Sequence, residues 1–364
     1  PAVPTYAYGS TMLGGSLYST AYESRYVNDQ LKWATVTNYE LGSEAGFLDN
    51  KVGFELSLYK KKTDDMLLYL PIQGVIGMSA PAQNAGSVEN TGFDLSIFHN
   101  NRINKDWSYA VNFNVAYVKN EITDMRGTEG VDPSNSKFWR LEGHPIGTFY
   151  GYVADGLFKT QADLDNHPKR TGTEKLGDIK YKDINGDGLI NADDRQVIGN
   201  PNPVHTGGFN NTFRYKNFSL SIFFKWSFGN DVFNANRLVM ENGGELLTNQ
   251  FASFVNRWTP DNQDTDMHRL NSNGLLYYSS RVVEDASYLR LQSLSLSYII
   301  KKAWLKKIHM DEAWITLSAN NLYTWTNYSG FDPEVSARHS AMTQGFDFSA
   351  YPRACSYALS LNLK

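Results

Sequence analysis

The sequence is short of several things. Its 364 residues include one cysteine, Cys355, so no intrachain disulfide framework supports it. No stretch approaches the ~18 consecutive apolar residues that a membrane-spanning helix needs. Charged residues make up only 20%, below the usual ~25%, and the formal net charge is −4. That balance excludes a broad basic surface, so no nucleic-acid partner is expected. The first residues, PAVPTYAYGSTMLGG, carry neither the basic n-region nor the apolar h-region of a secretory signal. Either the protein is cytoplasmic or its natural beginning lies elsewhere. What the sequence does have is aromatic side chains, 14% of the total, with 22 Tyr and 20 Phe. That is an odd stock for a single water-facing globule of this charge.

The dominant pattern has a period of two, in segments of about ten residues. Trp107, Tyr109, Val111, Phe113, Val115 and Tyr117 share one parity, and Ser108, Ala110, Asn112, Asn114 and Ala116 the other. Phe218, Leu220, Ile222, Phe224, Trp226 and Phe228 alternate with Ser219, Ser221, Phe223, Lys225 and Ser227. Val52, Phe54, Leu56 and Leu58 do the same against Gly53, Glu55, Ser57 and Tyr59. A helical period would mix these sets, so they are strands with one apolar and one polar face. About nine strands are expected, near 35–47, 52–62, 88–99, 107–118, 207–215, 218–228, 287–299, 313–323 and 352–364. In the seventh, Leu289 and Leu291 are odd while Leu294, Leu296 and Tyr298 are even, which predicts a bulge or a change of environment.

Connections alternate in length. Short turns fall at 48–51, 100–106 and 216–217, with a medium connector at 301–312. Long loops fall at about 69–87, 119–206, 229–286 and 324–351. Loops above ~15 residues are unusual inside compact domains. Short turns at one end and long loops at the other describe an outer-membrane β-barrel, whose aromatic girdles would absorb the Tyr and Phe. Periodicity alone leaves open a soluble sandwich or propeller. The six large apolar residues in succession on the Phe218–Phe228 face weigh against it.

In the longest loop, Asp183-Ile-Asn185-Gly-Asp187-Gly188-Leu189-Ile190-Asn191-Ala-Asp193-Asp194 follows the Ca²⁺-loop grammar. Oxygen ligands stand at positions 1, 3 and 5, glycine at 6, a backbone carbonyl at 7 and a carboxylate at 12. The expected ligand set is Asp183, Asn185, Asp187, the Leu189 carbonyl and Asp194, with Ile190 anchoring the loop by packing. Asp replaces the usual Glu at position 12, so Mg²⁺ competes with Ca²⁺ for the site. The competing reading is an Asp/Asn/Gly turn with no ion, and an occupied site would staple the loop rather than catalyse.

No catalytic constellation emerges, and no enzyme is expected. The seven histidines are scattered, and Gly-x-Ser-x-Gly, Walker and Rossmann signatures are missing. Carboxylates such as Glu284-Asp285 and Asp332-Pro-Glu334 make no specific pair. The aromatics Phe138, Trp139, Trp258, Trp325 and Tyr328 either stack on sugars or peptides or pack the loops together.

Several stretches resemble the SusC/RagA class of TonB-dependent outer-membrane transporters. They are Asn84-Ala-Gly-Ser-Val-Glu-Asn-Thr-Gly92, Gly177-Asp-Ile-Lys-Tyr-Lys-Asp183, Ile198-Gly-Asn-Pro-Asn-Pro203, Glu284-Asp-Ala-Ser-Tyr-Leu-Arg-Leu-Gln292 and the run from Asn320 to Glu334. The resemblance extends from about residue 32 to the C-terminus. It implies an all-β fold, the C-terminal nine or so antiparallel strands of a 22-stranded transmembrane β-barrel with long extracellular loops. Those strands would occupy positions 14 to 22. Residues 1–32 would be the extracellular loop before the first complete strand, and 33–364 the barrel portion, with 119–206 its Ca-type loop. The chain would then start at a loop open to proteolytic nicking, its missing half still associated. Implied partners are that N-terminal plug and barrel half, a SusD-like surface lipoprotein, TonB through the missing part, and an oligosaccharide or peptide cargo. Tyr357, Leu359, Leu361 and Leu363 would form the strand read by insertion machinery, although the sequence stops at Lys364 rather than an aromatic residue. The competing class is a secreted Ca²⁺-dependent adhesin or carbohydrate-binding β-domain.

Overall fold

The fold is that of a computed structural model describing residues 6–24, 27–69, 81–126, 130–132, 135–243, 249–270, 272, 277–305, 309–337 and 343–363. Nine antiparallel strands form one sheet in which each strand pairs with its sequence neighbours. They are β1 (Thr35–Phe47), β2 (Val52–Tyr69), β3 (Ala82–Arg102), β4 (Trp107–Asp124), β5 (His205–Tyr215), β6 (Phe218–Phe228), β7 (Tyr288–Ile299), β8 (Ala313–Thr326) and β9 (Ser356–Leu363).

Pairing register explains the alternation. One row across the sheet runs Ala45, Phe54, Ile97, Phe113, Phe209, Phe224, Leu291, Tyr323. A row on the opposite face runs Asn100, Ala110, Thr212, Ser221, Ser295, Ser318. The first face is broad and apolar; the second is lined by small polar groups. A bulge at Gln292 keeps it so: Phe223 pairs with Ser293 and Phe224 with Leu291, leaving Gln292 unpaired between them. Leu289 and Leu291 thereby stay on the apolar face beside Leu294 and Leu296, which accounts for the parity change.

Several boundaries differ from expectation. β2, β3 and β4 extend beyond the apolar stretch at their loop ends, where Lys60 pairs with Glu89 at 2.8 Å and Lys62 with Asp64 at 2.9 Å. The expected loop at 69–87 therefore shrinks to the residues between Tyr69 and Ala82, and 70–80 lie outside the described set. The last strand begins at Ser356 rather than 352, because Arg353 is drawn off to Asp332 and Glu334 and the Ala354 carbonyl accepts from Asn321. Lys364 lies outside the described residues. Residues 1–32 contain a hairpin, Tyr6–Leu13 with Ser16–Glu23.

The expected 119–206 loop starts after Asp124 and ends before His205, and it is folded. Gly130–Asp132, Asn135–Arg140, Thr148–Tyr152 and Arg195–Gly199 make a four-stranded sheet, and Ala154–Leu157 pairs with Ile179–Tyr181. A short helix, Gln161–Asn166, starts at a Thr160 cap reciprocated by Asp163. The other long connections join it: Asp231–Asn234 pairs with Val283–Asp285 and Phe346–Asp347. A core of Phe149, Phe233, Leu238, Val282 and Phe346 draws on all three segments.

Candidate functional site in the loop assembly

The Asp183–Asp194 turn is held largely by its own side chains. Asp183 accepts from the amides of Gly186 (2.7 Å) and Gly188 (2.9 Å). Asn185 accepts from the Asp187 amide at 3.0 Å, and Asp187 from the Leu189 amide at 2.8 Å. Gly186 and Gly188 take φ of 75° and 84°, a region that favours glycine. Asp194 is buried and closes the loop, accepting from the amides of Ile184 (2.8 Å) and Asn191 (2.7 Å). Burial alone would raise the Asp194 pKa; hydrogen bonds from the amides of Asn191, Ile184 and Asn185 outweigh it and hold the carboxyl below its usual value. Ile190 is buried against Tyr152, Leu157, Ile179 and Tyr181. The Leu189 side chain is exposed, which leaves its carbonyl as its candidate contribution.

The donor set suits a hard cation. Among the described residues no three His, Cys, Asp or Glu side chains converge as a metal cluster. Coordination here would therefore depend on Asn185 and a backbone oxygen as well as carboxylates, which is the Ca²⁺ and Mg²⁺ preference rather than that of zinc.

A second constellation was missed by residue-level reasoning. Arg290, on the polar face of β7, is 2% exposed at its side chain. It donates to Asp332 at 2.7 Å, Glu334 at 2.6 Å and Thr324 Oγ1 at 2.8 Å. Lys225 of β6 and Arg353 also reach Glu334, and Arg353 reaches Asp332. Burial alone would raise the Glu334 pKa; hydrogen bonds from Lys225 and Tyr288, with the charges of Lys225 and Arg353, bring it below the usual carboxylate value. The segment after β8 is thus pinned to the polar face of the wall. The signal available in the sequence was an arginine on a strand's polar parity and a later Asp-Pro-Glu.

Beside this pin lies a cavity of about 800 Å³ between the helix Ala235–Met240, Phe251, Met267, Ser329–Phe331 and Phe348. Its floor is an ion-pair network: Arg237 to Glu241 (3.1 Å) and to Glu284 (3.2 Å), and Arg281 to Glu241 (2.8 Å). Glu284 also accepts from the Ser329 amide at 2.8 Å. Beyond their strand pairing, the stretches 284–292 and 320–334 are therefore joined through Glu284–Ser329 and through Arg290 with Asp332 and Glu334.

Of the aromatics considered for stacking, Trp325 stands on the apolar face, paired opposite Leu289 and edge-on to Tyr323 at 4.8 Å. It belongs to the wall and not to the loops. Tyr328 is buried and donates to Asp347 at 2.5 Å. Trp258 packs against the cluster around Tyr181 and over Gly177. The side chains of Phe138 and Trp139 lie outside the described set.

The sequence matches the family model "TonB dependent receptor-like, beta-barrel" over residues 3–322. TonB-dependent receptor P3 of Formosa agariphila is 33% identical over 352 residues, covering 93% of this chain and 35% of that protein. TonB-dependent receptor SusC of Bacteroides thetaiotaomicron is 26% identical, covering 98% of this chain and 34% of SusC. The structure of the RagAB peptide transporter superposes with a TM-score of 0.82 at 27% identity, covering 99% of this chain and 38% of that one. The chain thus spans little more than a third of the length of its relatives.

Proposed function

Because this chain belongs to the TonB-dependent receptor β-barrel family and is a SusC/RagA-like outer-membrane protein, we propose that it is one part of a nutrient importer that carries oligosaccharides or peptides across the outer membrane. The observation that carries the reading is the two-faced wall: apolar on one side, small and polar on the other, with folded loops gathered at one end. A secreted, water-soluble binding domain would have to cover that apolar face, whereas a bilayer covers it without a partner. The wall needs its remaining strands, because open sheet edges are not tolerated in lipid. An N-terminal plug and barrel half, TonB acting through it, and a SusD-like lipoprotein over the loops complete the proposed machine. The role is transport rather than catalysis.

The Asp183–Asp194 loop is proposed to hold Ca²⁺, with Mg²⁺ as competitor, as a staple rather than a transport site. Asp183, Asn185, Asp187, the Leu189 carbonyl and Asp194 would supply the oxygens. Chelation, or Asp183→Ala with Asp187→Ala, is expected to speed proteolysis within 183–194 while the barrel stays folded. Identical protease resistance with and without the ion would refute the staple.

Native mass spectrometry of detergent-purified protein, before and after denaturation, tests the importer reading. Release of this sequence with a plug-bearing polypeptide and a lipoprotein is the expected result. A 41.1 kDa species that stays folded and monomeric without detergent would sink it.

A further inference from the structure

We propose that a groove on the apolar side of the wall, over Leu289 at the loop end of β6, β7 and β8, seats a membrane lipid whose headgroup carries an ammonium. The inference rests on the bilayer covering the apolar face and not on what is imported. Strand pairing puts the groove at the membrane boundary. The apolar row of β4 from Trp107 to Tyr117 spans about 34 Å of strand, or ~26 Å of height at a ~40° tilt, the depth of the apolar band of such a wall. The Tyr117 row continues through His205 to Phe228. Ser287 and Asn327, just outside β7 and β8, follow at the same level. Leu289, Tyr323 and Trp325 lie below it, on the side of the acyl chains.

The groove exists because of where Trp226 goes. Trp226 pairs opposite Leu289, yet its indole lies over Gly207, where a β-carbon would collide with it, and stacks on Phe113 at 5.4 Å. Leu289 is thereby left open between Phe228 and the Tyr323–Trp325 pair, all three exposed. The space is about 630 Å³, in the range of small-ligand sites. Tyr288, Thr324 and Thr326 also border it but are engaged elsewhere. Tyr288 is buried and donates to Glu334, Thr324 Oγ1 accepts from Arg290, and Thr326 donates to the Ser287 carbonyl. That leaves Asp285, Ser287 and Asn327 as the polar rim. Asp285 is exposed, its Oδ1 accepts from the Ser287 amide at 2.8 Å, and among the described residues no lysine or arginine lines the groove. A headgroup ammonium meets that carboxylate. Its phosphate finds the Ser287 hydroxyl, which accepts from the Gly229 amide at 3.0 Å and has its own hydrogen to give. A purely anionic headgroup gains the same neutral donors and is repelled by Asp285.

The test uses the full-length protein purified in detergent with any lipoprotein that accompanies it, and native mass spectrometry under activation that strips loosely held lipid. The probes are palmitoyl-oleoyl phosphatidylethanolamine and the phosphatidylglycerol with the same chains. The wild-type protein is expected to retain the ethanolamine lipid about threefold or more over the glycerol lipid. Asp285→Asn keeps an acceptor for the Ser287 amide and is expected to remove that preference, with the barrel still shifting on gels only after boiling. Leu289→Trp, which fills the groove from the lipid-facing side, is expected to lower retention of the ethanolamine lipid by a similar factor. Equal retention of the two lipids by the wild type, an unchanged preference in Asp285→Asn, or undiminished retention in Leu289→Trp overturns the assignment. So does loss of the lipoprotein from Leu289→Trp with lipid retention unchanged, which would make the groove a protein contact. A wild-type protein with no heat-dependent shift on gels would refute the wall itself, so the two failures are read separately.

Discussion

Arg290 is enclosed where water cannot reach it, and its charge is balanced by two carboxylates that also face Lys225 and Arg353. Removing one partner of a buried ion cluster costs about 3–5 kcal/mol, and the two remaining cations place Arg290→Ala toward the lower end. A melt of the detergent-purified protein should show the drop, with Arg290→Lys, which cannot bridge both carboxylates, falling between the two. An unchanged melting temperature would mean the pin contributes nothing. Acid should loosen the same segment. The folded pKa of Glu334 lies below its unfolded value, so its stabilisation is complete above the unfolded value and is lost as pH falls through the folded one. His268 adds a second window: burial, helped by the Arg281 charge, brings its pKa down to about 4. Its folded form resists a proton that the unfolded chain accepts, so stability declines as pH drops from ~6.5 toward 4 and levels off below that. Protection from hydrogen exchange over 252–270, corrected for the intrinsic rate at each pH, is expected to fall between pH 7 and pH 5. His268→Phe, which cannot be protonated, should flatten that fall.

At the scale of elements, two devices do more than the alternation reveals. Asp194 holds two backbone amides whether or not an ion is present, whereas Asp187 serves an exposed turn. Asp194→Ala should therefore cost the loop about 1–3 kcal/mol even in chelator, while Asp187→Ala should matter chiefly in the presence of Ca²⁺. Limited proteolysis of both variants under both conditions separates the two. The Gln292 bulge is the other device. Deleting Gln292 would rotate Leu289 and Leu291 onto the polar face, so the deletion should abolish heat-modifiable barrel on gels. Gln292→Ala, which keeps the residue count, should not. The strands were legible because a two-faced wall writes its alternation into sequence: β1 and β6 have the expected limits, and the parity change marked the bulge. The loop ends of β2 to β4 were not, because there the period-two apolar signal gives way to Lys60, Lys62 and Glu89 while the backbone pairing continues. The Asp183–Asp194 turn was legible as a local motif. The Arg290 pin and the cavity were not, since Arg290 meets Asp332 across 42 residues and Asn234 meets Ser329 across 95. Local patterning carries no trace of such contacts.

For the whole molecule, the decisive feature is the pair of bare edges. Among the described residues, β1 and β9 each pair on one side only, and β9 presents Tyr357 and Leu359 at 72% and 75% exposure. A sheet with unpaired amides and carbonyls along both margins cannot sit in a bilayer, and in water the same margins would template association. The apolar face adds a second barrier to solubility, since it spans the sheet from Leu41 to Leu359 with no covering layer among the described residues. Residues 1–364 expressed alone should therefore reach neither the membrane nor a monodisperse soluble state. Co-expressed as a separate polypeptide with the proposed N-terminal plug and barrel half, it should be recovered from the outer-membrane fraction as a complex that shifts on gels only after boiling. Lysine placed at Leu359, in the middle of the edge strand's apolar row, should lower that recovery. A change of Ser360 to lysine, on the opposite parity, should be tolerated if the second face is a wet lumen. Equal recovery of both lysine variants would mean the two faces see the same surroundings, and the wall reading would fail.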